Sequence, residues 1–126
     1  MKVKDIMTKY VVMIKPDKSV DDAVKLMDDE GVTCLLVVRT HPYKIFGLVT
    51  RFDVIGKVAG KNLDPRKVEV FEIVRKDMET VSPDDDVADV ASKMFEKRYW
   101  RMPVEEDGRI VGIISGTDIW NKFLKR

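Results

Sequence analysis

Hydrophobic residues recur with helical spacing in two separate stretches of the chain. In both stretches the apolar positions follow the order i, i+3, i+4, i+7, which is the buried stripe of an amphipathic helix. The two stripes are Val20, Ala23, Val24 and Met27, and Val87, Val90, Ala91 and Met94. Ser19 and Asp86 precede them as candidate N-caps, and Asp22 and Asp89 place a carboxylate in each first turn. The pattern predicts two helices of the same design.

The second stripe follows the first at a shift of 67 residues, and the sequence around it repeats as well. After each stripe come two short apolar runs, which we interpret as strands. The runs are residues 35–37 and 47–49 in the first copy, and residues 102–104 and 112–114 in the second. The shift falls to 65 at the second run because the loop between the two runs is two residues shorter in the second copy. That shorter loop contains Asp107-Gly108, a pair of residues typical of a β-hairpin turn. Apolar residues return to helical spacing after Asp53 and Asp118.

Each copy therefore has the order strand, helix, strand, strand, helix. We assign residues 1–60 to the first repeat, 61–69 to a linker and 70–126 to the second repeat. A unit of about 55 residues buries little core alone, so the two are expected to cover each other's apolar faces. The prediction is a mixed α/β (α+β) fold of two β-α-β-β-α repeats, related by approximate two-fold symmetry, with the sheets packed between helices. Clefts between the repeats are candidate sites for small ligands.

Composition narrows the possible classes of function. Of 126 residues, 44% are hydrophobic and 36% are charged, which argues against disorder. The 23 Lys and Arg against 22 Asp and Glu leave a net charge of +1, which disfavours nucleic-acid binding through the basic stretches 61–67 and 122–126. No apolar run approaches the roughly 18 residues of a membrane span, and the N-terminus lacks a signal-peptide pattern. We therefore expect a cytoplasmic protein.

Cys34 and His41 are the single cysteine and the single histidine of the chain. They cannot form an internal disulfide, a Cys/His zinc site or a set of nucleophile, base and orienting residue. We therefore expect neither a metal site nor an enzyme. Cys34 is expected to be a small buried hydrophobic residue, and His41, which precedes Pro42 in a loop, is expected to be solvated.

The repeated motifs resemble a tandem pair of cystathionine-β-synthase-type (CBS) domains, an arrangement known as a Bateman module. The residues that carry this resemblance are 3–8, 16–20 and 47–53, and then 83–94 and 112–118. The resemblance implies a stand-alone, non-catalytic regulatory module with no required cofactor. Its ligand would be an adenosine-containing molecule (AMP, ADP, ATP or S-adenosylmethionine), bound in clefts between the repeats. The resemblance also implies a homodimer formed through helices of both repeats, and an effector protein that the sequence does not identify.

The same resemblance assigns residues to two clefts. In the first, Asp118 contacts the ribose hydroxyls, Ser115 lies near the phosphate, and Thr117 is a further ligand-binding residue. In the second, Asp53 and Thr50 take those roles. The residues implied around the adenine are Thr8, Val32, Thr33 and Cys34 for the Asp118 cleft, and Arg75, Tyr99, Trp100 and Arg101 for the Asp53 cleft.

Two interpretations of these residues stay open. A carboxylate can accept both vicinal hydroxyls of a ribose, but Ser or Thr followed three residues later by Asp is also a capping box. The aromatic residues 99–100 can stack on a base or pack against the neighbouring strand. Phe52 stands at the position of Thr117, and Arg75 at that of Thr8, so the clefts are expected to differ in affinity. The alternative function is ligand-independent dimerisation or partner docking by a module with degenerate clefts.

Overall fold

The computed structural model describes residues 1–40, 44–76 and 78–126, so His41 lies outside the described residues. Its elements are, in chain order, α1 (Val3–Ile6), β1 (Met13–Ile14), α2 (Val20–Glu30), β2 (Cys34–Thr40), β3 (Lys44–Thr50), α3 (Arg51–Lys57), two 3₁₀ turns (Ala59–Lys61 and Pro65–Lys67), α4 (Val70–Ile73), β4 (Arg75–Lys76), α5 (Val87–Lys97), β5 (Arg101–Glu106), β6 (Arg109–Ser115) and α6 (Gly116–Asp118), which continues as a π-helix (Ile119–Leu124). The mixed α/β fold class is confirmed. The four predicted helices are present as α2, α3, α5 and α6 with its π-helical continuation, and both predicted strand pairs are present, whereas α1, α4 and β4 were not predicted.

Contacts divide the chain into two compact units. We call Val12–Asp77 the continuous unit, and Met1–Val11 together with Met78–Arg126 the split unit. The units do not follow the order of the sequence repeats. The leading segment of each repeat, residues 1–11 in the first and 70–76 in the second, packs on the sheet formed by the other repeat.

The continuous unit contains a four-stranded sheet in the order β1-β2-β3-β4. Strand β1 pairs parallel with β2, and the other two pairings are antiparallel. Helix α2 begins at Ser19, whose hydroxyl accepts a hydrogen bond from the Asp22 N–H at 3.0 Å, and ends at Gly31 with a φ of 65°. Val24, the third position of the predicted stripe, is 37% exposed. The buried core of this unit includes Val20, Ala23, Met27, Leu35, Val37, Val49 and Val70.

The end of the predicted linker is part of this core. Val68 is buried in the continuous unit, and so is Val70 at the start of α4. The backbone fixes both positions, because the Val20 N–H donates to the Val68 carbonyl and the Val70 N–H donates to the Lys18 carbonyl, each at 2.8 Å. The segment leading into β4 is therefore held against the sheet of the first repeat.

The split unit repeats the same pairing order around the hairpin of β5 and β6. Val81 forms a parallel bridge with Val104 on one side, and Thr8 forms an antiparallel bridge with Ile113 on the other. Helix α5 ends at Arg98, which adopts a left-handed φ of 59°. The buried core of this unit includes Val3, Ile6, Val87, Val90, Met94, Met102, Val104 and Ile114.

Candidate functional site

Asp118 is a nearly buried carboxylate in α6, the helix that follows β6 in the split unit, with 7% of its surface exposed. Ser115 caps helix α6, because its hydroxyl accepts a hydrogen bond from the Asp118 N–H at 3.2 Å. The Ser115 N–H and hydroxyl both donate to Asp118 Oδ2, at 3.0 Å each. The predicted capping box is therefore present, and it occupies Oδ2 only. The second carboxylate oxygen, Oδ1, is left for other donors.

Two donors from different parts of the split unit reach Asp118 Oδ1. The Thr8 hydroxyl donates to it at 3.0 Å, and the Lys122 ammonium lies 3.3 Å away. Lys122 also donates to the Ile6 carbonyl at 3.1 Å, so it links the C-terminal helix to α1. Lys122 is one i,i+4 turn after Asp118, a spacing that favours such a pair. Lys122 is thus a site residue that was not predicted, although its spacing from Asp118 can be read from the sequence.

A close backbone approach positions Thr8. Thr8 and Ile113 exchange two N–H···O hydrogen bonds of 2.9 Å each, which place the Thr8 segment beside β6. A Cβ atom at Gly112 would lie 2.7 Å from the Thr8 carbonyl oxygen, closer than such atoms come in real proteins. The absence of a side chain at Gly112 therefore allows Thr8 to approach Asp118.

Asp53 has the same capping geometry in the continuous unit and is 4% exposed. The Thr50 N–H and hydroxyl donate to Asp53 Oδ2 at 3.0 and 2.9 Å, and the Asp53 N–H donates to the Thr50 hydroxyl at 3.1 Å. Asp53 Oδ1 faces Arg75 Nη2 at 3.1 Å and Lys57 Nζ at 4.0 Å. Lys57 donates to the Ile73 carbonyl at 3.1 Å, as Lys122 does to its own carbonyl partner in the split unit.

The two carboxylates therefore differ in the charge around Oδ1. Asp118 has one neutral hydroxyl and one ammonium as partners, whereas Asp53 has a guanidinium and an ammonium. The side chains of Arg75 and Lys122 are about half exposed, at 44% and 49%. Water partly screens both cations, but the hydrogen-bonded guanidinium is the stronger partner.

The remaining residues of the Asp118 assignment are divided between the units. Thr117 is exposed on α6 in the split unit. Val32, Thr33 and Cys34 belong to the continuous unit, where the Thr33 carbonyl accepts a hydrogen bond from the Arg51 N–H at 2.9 Å. Cys34, the first residue of β2, is partly buried, so it is less buried than expected.

The remaining residues of the Asp53 assignment lie in the split unit. Tyr99 is half-buried and packs on the core, and Arg101 pairs with Ser115 across the hairpin. Trp100 is 56% exposed, and its carbonyl accepts a hydrogen bond from the Gly116 N–H at 2.8 Å. Its ring lies so close to Gly116 that a Cβ there would be 2.4 Å away. Trp100 therefore packs on the start of α6 and also presents aromatic surface to solvent.

An apolar groove of about 410 Å³ lies on the helical side of the split unit. Its lining includes Phe95, Trp120 and Leu124, whose exposed fractions are 84%, 61% and 61%. Within the described part of the chain, no three His, Cys, Asp or Glu side chains are arranged to hold a metal ion. The helices described here are all too short or too polar to cross a membrane.

Comparison with known proteins shows where this architecture occurs. A family model for the CBS domain matches residues 3–60 and 70–119. An uncharacterized protein of Methanocaldococcus jannaschii is 37% identical over 120 residues, which cover 94% of this chain and 43% of that protein. The chain spans less than two thirds of the length of the first curated relatives that it matches.

Solved structures give the same result. The hexameric CBS-CP12 protein from bloom-forming cyanobacteria superposes with a TM-score of 0.90 at 36% identity, over 99% of this chain and 73% of that one. A CBS domain pair solved in complex with 5′-methylthioadenosine and S-adenosyl-L-methionine has a TM-score of 0.86 at 29% identity, over 99% of this chain and 97% of that one.

Proposed function

Since this chain belongs to the CBS-domain family and carries two such domains, we propose that it is a regulatory module that binds an adenosine-containing ligand through Asp118. One observation carries the proposal. Asp118 Oδ1 is held by the Thr8 hydroxyl, a neutral donor, and by a half-exposed ammonium of Lys122. A ribose diol presents hydroxyl donors of the same kind as Thr8, so it can replace Thr8 at little cost in hydrogen bonding.

The ligand is proposed to lie with its ribose against Asp118. One ribose hydroxyl donates to Oδ1, while the capping box keeps Oδ2 and holds the carboxylate in place. Ser115 and the exposed Thr117 are then next to the group attached to the ribose, whether phosphate or a sulfonium chain. The complex of a relative with S-adenosyl-L-methionine and 5′-methylthioadenosine supports the choice of an adenosine ligand. Following the resemblance, we propose that Val32, Thr33 and Cys34 contact the adenine.

Calorimetric titration of the full chain with AMP, ATP and S-adenosylmethionine tests the proposal. We expect at least one of them to bind, and the variant Asp118→Asn to lose about 10- to 100-fold in affinity, because a hydrogen bond to a charged acceptor contributes about 1.5 to 3 kcal/mol. Asp29→Asn is the matched control, since Asp29 is an exposed carboxylate on α2. Absence of binding below millimolar concentration, or an unchanged affinity in Asp118→Asn, would contradict the proposal.

A second candidate function, assembly without a ligand, rests on the apolar groove of the split unit. Its lining presents Phe95, Trp120 and Leu124 to solvent, and an exposed apolar surface of this kind is typical of an interaction site. The hexamer formed by the CBS-CP12 relative is consistent with this function. Light scattering should give a dimer that Trp120→Asp converts to monomer. A monomeric wild-type chain, or a melting temperature that rises with nucleotide, would count against a function in assembly alone.

A further inference from the structure

Arg75 occupies the place in the continuous unit that Thr8 occupies in the split unit. The two residues correspond at the repeat shift of 67, and Asp53 and Asp118 correspond at the shift of 65. Each donates to the Oδ1 atom of its carboxylate, Arg75 at 3.1 Å and Thr8 at 3.0 Å. The difference between the two sites is therefore a guanidinium in place of a hydroxyl, on the same carboxylate oxygen.

The backbone fixes Arg75 opposite Asp53. Arg75 is paired with Leu48 in the antiparallel ladder of β3 and β4. A Cβ at Gly47 would lie 2.1 Å from the Arg75 carbonyl oxygen, so the two strands are in unusually close contact there. The pairing with β3 therefore holds the backbone of Arg75 at a position from which its side chain reaches Asp53.

Electrostatics makes Arg75 difficult to displace. Its hydrogen bond joins two ionised groups, and such bonds are roughly twice as strong as those between neutral groups. A ribose hydroxyl is a neutral donor, so replacing Arg75 exchanges a charge-assisted bond for a weaker one and leaves a nearly buried carboxylate without its guanidinium. Lys57, 4.0 Å from the same oxygen, neutralises the carboxylate further. Asp118 Oδ1 also has an ammonium beside it, that of Lys122 at 3.3 Å, but the partner that a ligand would replace there is the neutral Thr8 hydroxyl.

We propose that the Arg75 guanidinium takes the place of a ribose hydroxyl at Asp53. Arg75 thereby closes the Asp53 site and limits the chain to one adenosine ligand, which binds at Asp118. The residue at positions 8 and 75 then decides which carboxylate accepts a ribose. This inference rests on the proposed function for its ligand, but it concerns a different residue and a different carboxylate. On this proposal, the predicted difference in affinity between the two sites is caused by the presence of Arg75 where the other site has Thr8.

The test measures the number of ligands bound per chain by calorimetry with AMP, ATP and S-adenosylmethionine, on the full chain. Wild type should bind one, and Arg75→Thr, which copies Thr8, should bind two. The double variant Arg75→Thr/Asp53→Asn should return to one, because the new site depends on the Asp53 carboxylate. The reciprocal change Thr8→Arg places a guanidinium opposite Asp118 and should abolish binding.

Thr8→Arg adds a guanidinium partner to Asp118, whereas Arg75→Thr removes one from Asp53. Thr8→Arg therefore provides a test even if Arg75→Thr fails to fold. The inference would be overturned if the wild type bound two ligands per chain. It would also be overturned if Arg75→Thr still bound one ligand and Thr8→Arg bound as well as wild type. In both cases the proposed function would stand. A wild type that binds nothing, with Arg75→Thr binding one ligand through Asp53, would refute the function of Asp118 and support the role of Arg75. If neither protein binds, both proposals fail.

Discussion

Replacing Gly112 by alanine should weaken the split unit at the point where Thr8 joins the sheet. The new Cβ would lie 2.7 Å from the Thr8 carbonyl oxygen and 3.0 Å from Met7 Sδ. The sulfur is part of a flexible side chain and can move, but the carbonyl is a backbone atom that accepts a hydrogen bond of 2.9 Å from Ile113. We therefore expect Gly112→Ala to push the Thr8 segment away from β6 and to withdraw the Thr8 hydroxyl from Asp118.

The expected loss of stability can be estimated from these contacts. Overpacking of a filled site costs about 1 to 3 kcal/mol, and each of the two backbone hydrogen bonds of the bridge contributes about 1 kcal/mol when lost. Because the segment can relax in part, we expect the free energy of unfolding to fall by about 2 to 4 kcal/mol. In a protein of this size each kcal/mol lowers the melting temperature by about 3 to 4 °C, so the midpoint should fall by about 6 to 16 °C.

Urea unfolding followed by tryptophan fluorescence is a suitable assay, because Trp100 and Trp120 both lie in the split unit. Gly56→Ala is the control. Gly56 is exposed in α3 and has no atom within 4 Å of an added Cβ, so alanine there should be neutral or should stabilise the helix by up to about 1 kcal/mol. An unfolding free energy of Gly112→Ala within about 0.5 kcal/mol of wild type would show that the close approach does not constrain Thr8.

Three further predictions follow from the same structure. Gly47→Ala should loosen β4 and destabilise the continuous unit by a similar 2 to 4 kcal/mol, roughly, because its Cβ would meet the Arg75 carbonyl; an unchanged melting curve would contradict this. Arg98→Gly should raise the unfolding free energy by about 1 kcal/mol, since Arg98 holds a left-handed φ of 59°; a less stable variant would refute the strain. The Lys97 ammonium lowers the pKa of the Glu79 carboxyl from its ordinary value of 4.5, so Glu79 adds stability above that pH, and this is lost as the pH falls through the lowered pKa. Glu79→Gln should therefore show a smaller change in melting temperature between about pH 6 and about pH 3, and an equal change would exclude this contribution.

The strongly periodic parts of the chain could be predicted from the sequence. Helices α2 and α5 each span 11 residues, long enough for the apolar stripe to define them, and both hairpins follow from apolar runs on either side of a loop. The capping boxes at Thr50 and Ser115 were also readable, because they depend on a spacing of three residues. In contrast, α1, α4 and β4 have only two to four residues, so no local pattern predicts them. Strand β4 is fixed by pairing with β3, and α1 and α4 are held by backbone hydrogen bonds to loop residues that are distant in sequence.

The candidate site divides in the same way. The pairing of Asp118 with Lys122 follows from the i,i+4 spacing on one helix, whereas the contact of Asp118 with Thr8 joins residues 110 positions apart. Only the family resemblance placed Thr8 and Arg75 in the assigned sites, and it could not say that Arg75 would form an ion pair with Asp53. That result depends on a strand register and on the close approach at Gly47.

Each repeat has its leading segment packed on the sheet of the other repeat, and this limits how the chain can be cut into fragments. Residues 1–11 complete the sheet of the split unit, and residues 70–76 complete the sheet of the continuous unit. A fragment cut at the boundary between the sequence repeats would carry the correct helices and hairpin but the wrong leading segment for its own sheet. A single repeat would therefore lack the segment that completes its own sheet. In this chain the two repeats exchange these segments within one molecule. As a result, Thr8 from the first eleven residues donates a hydrogen bond to the carboxylate of Asp118.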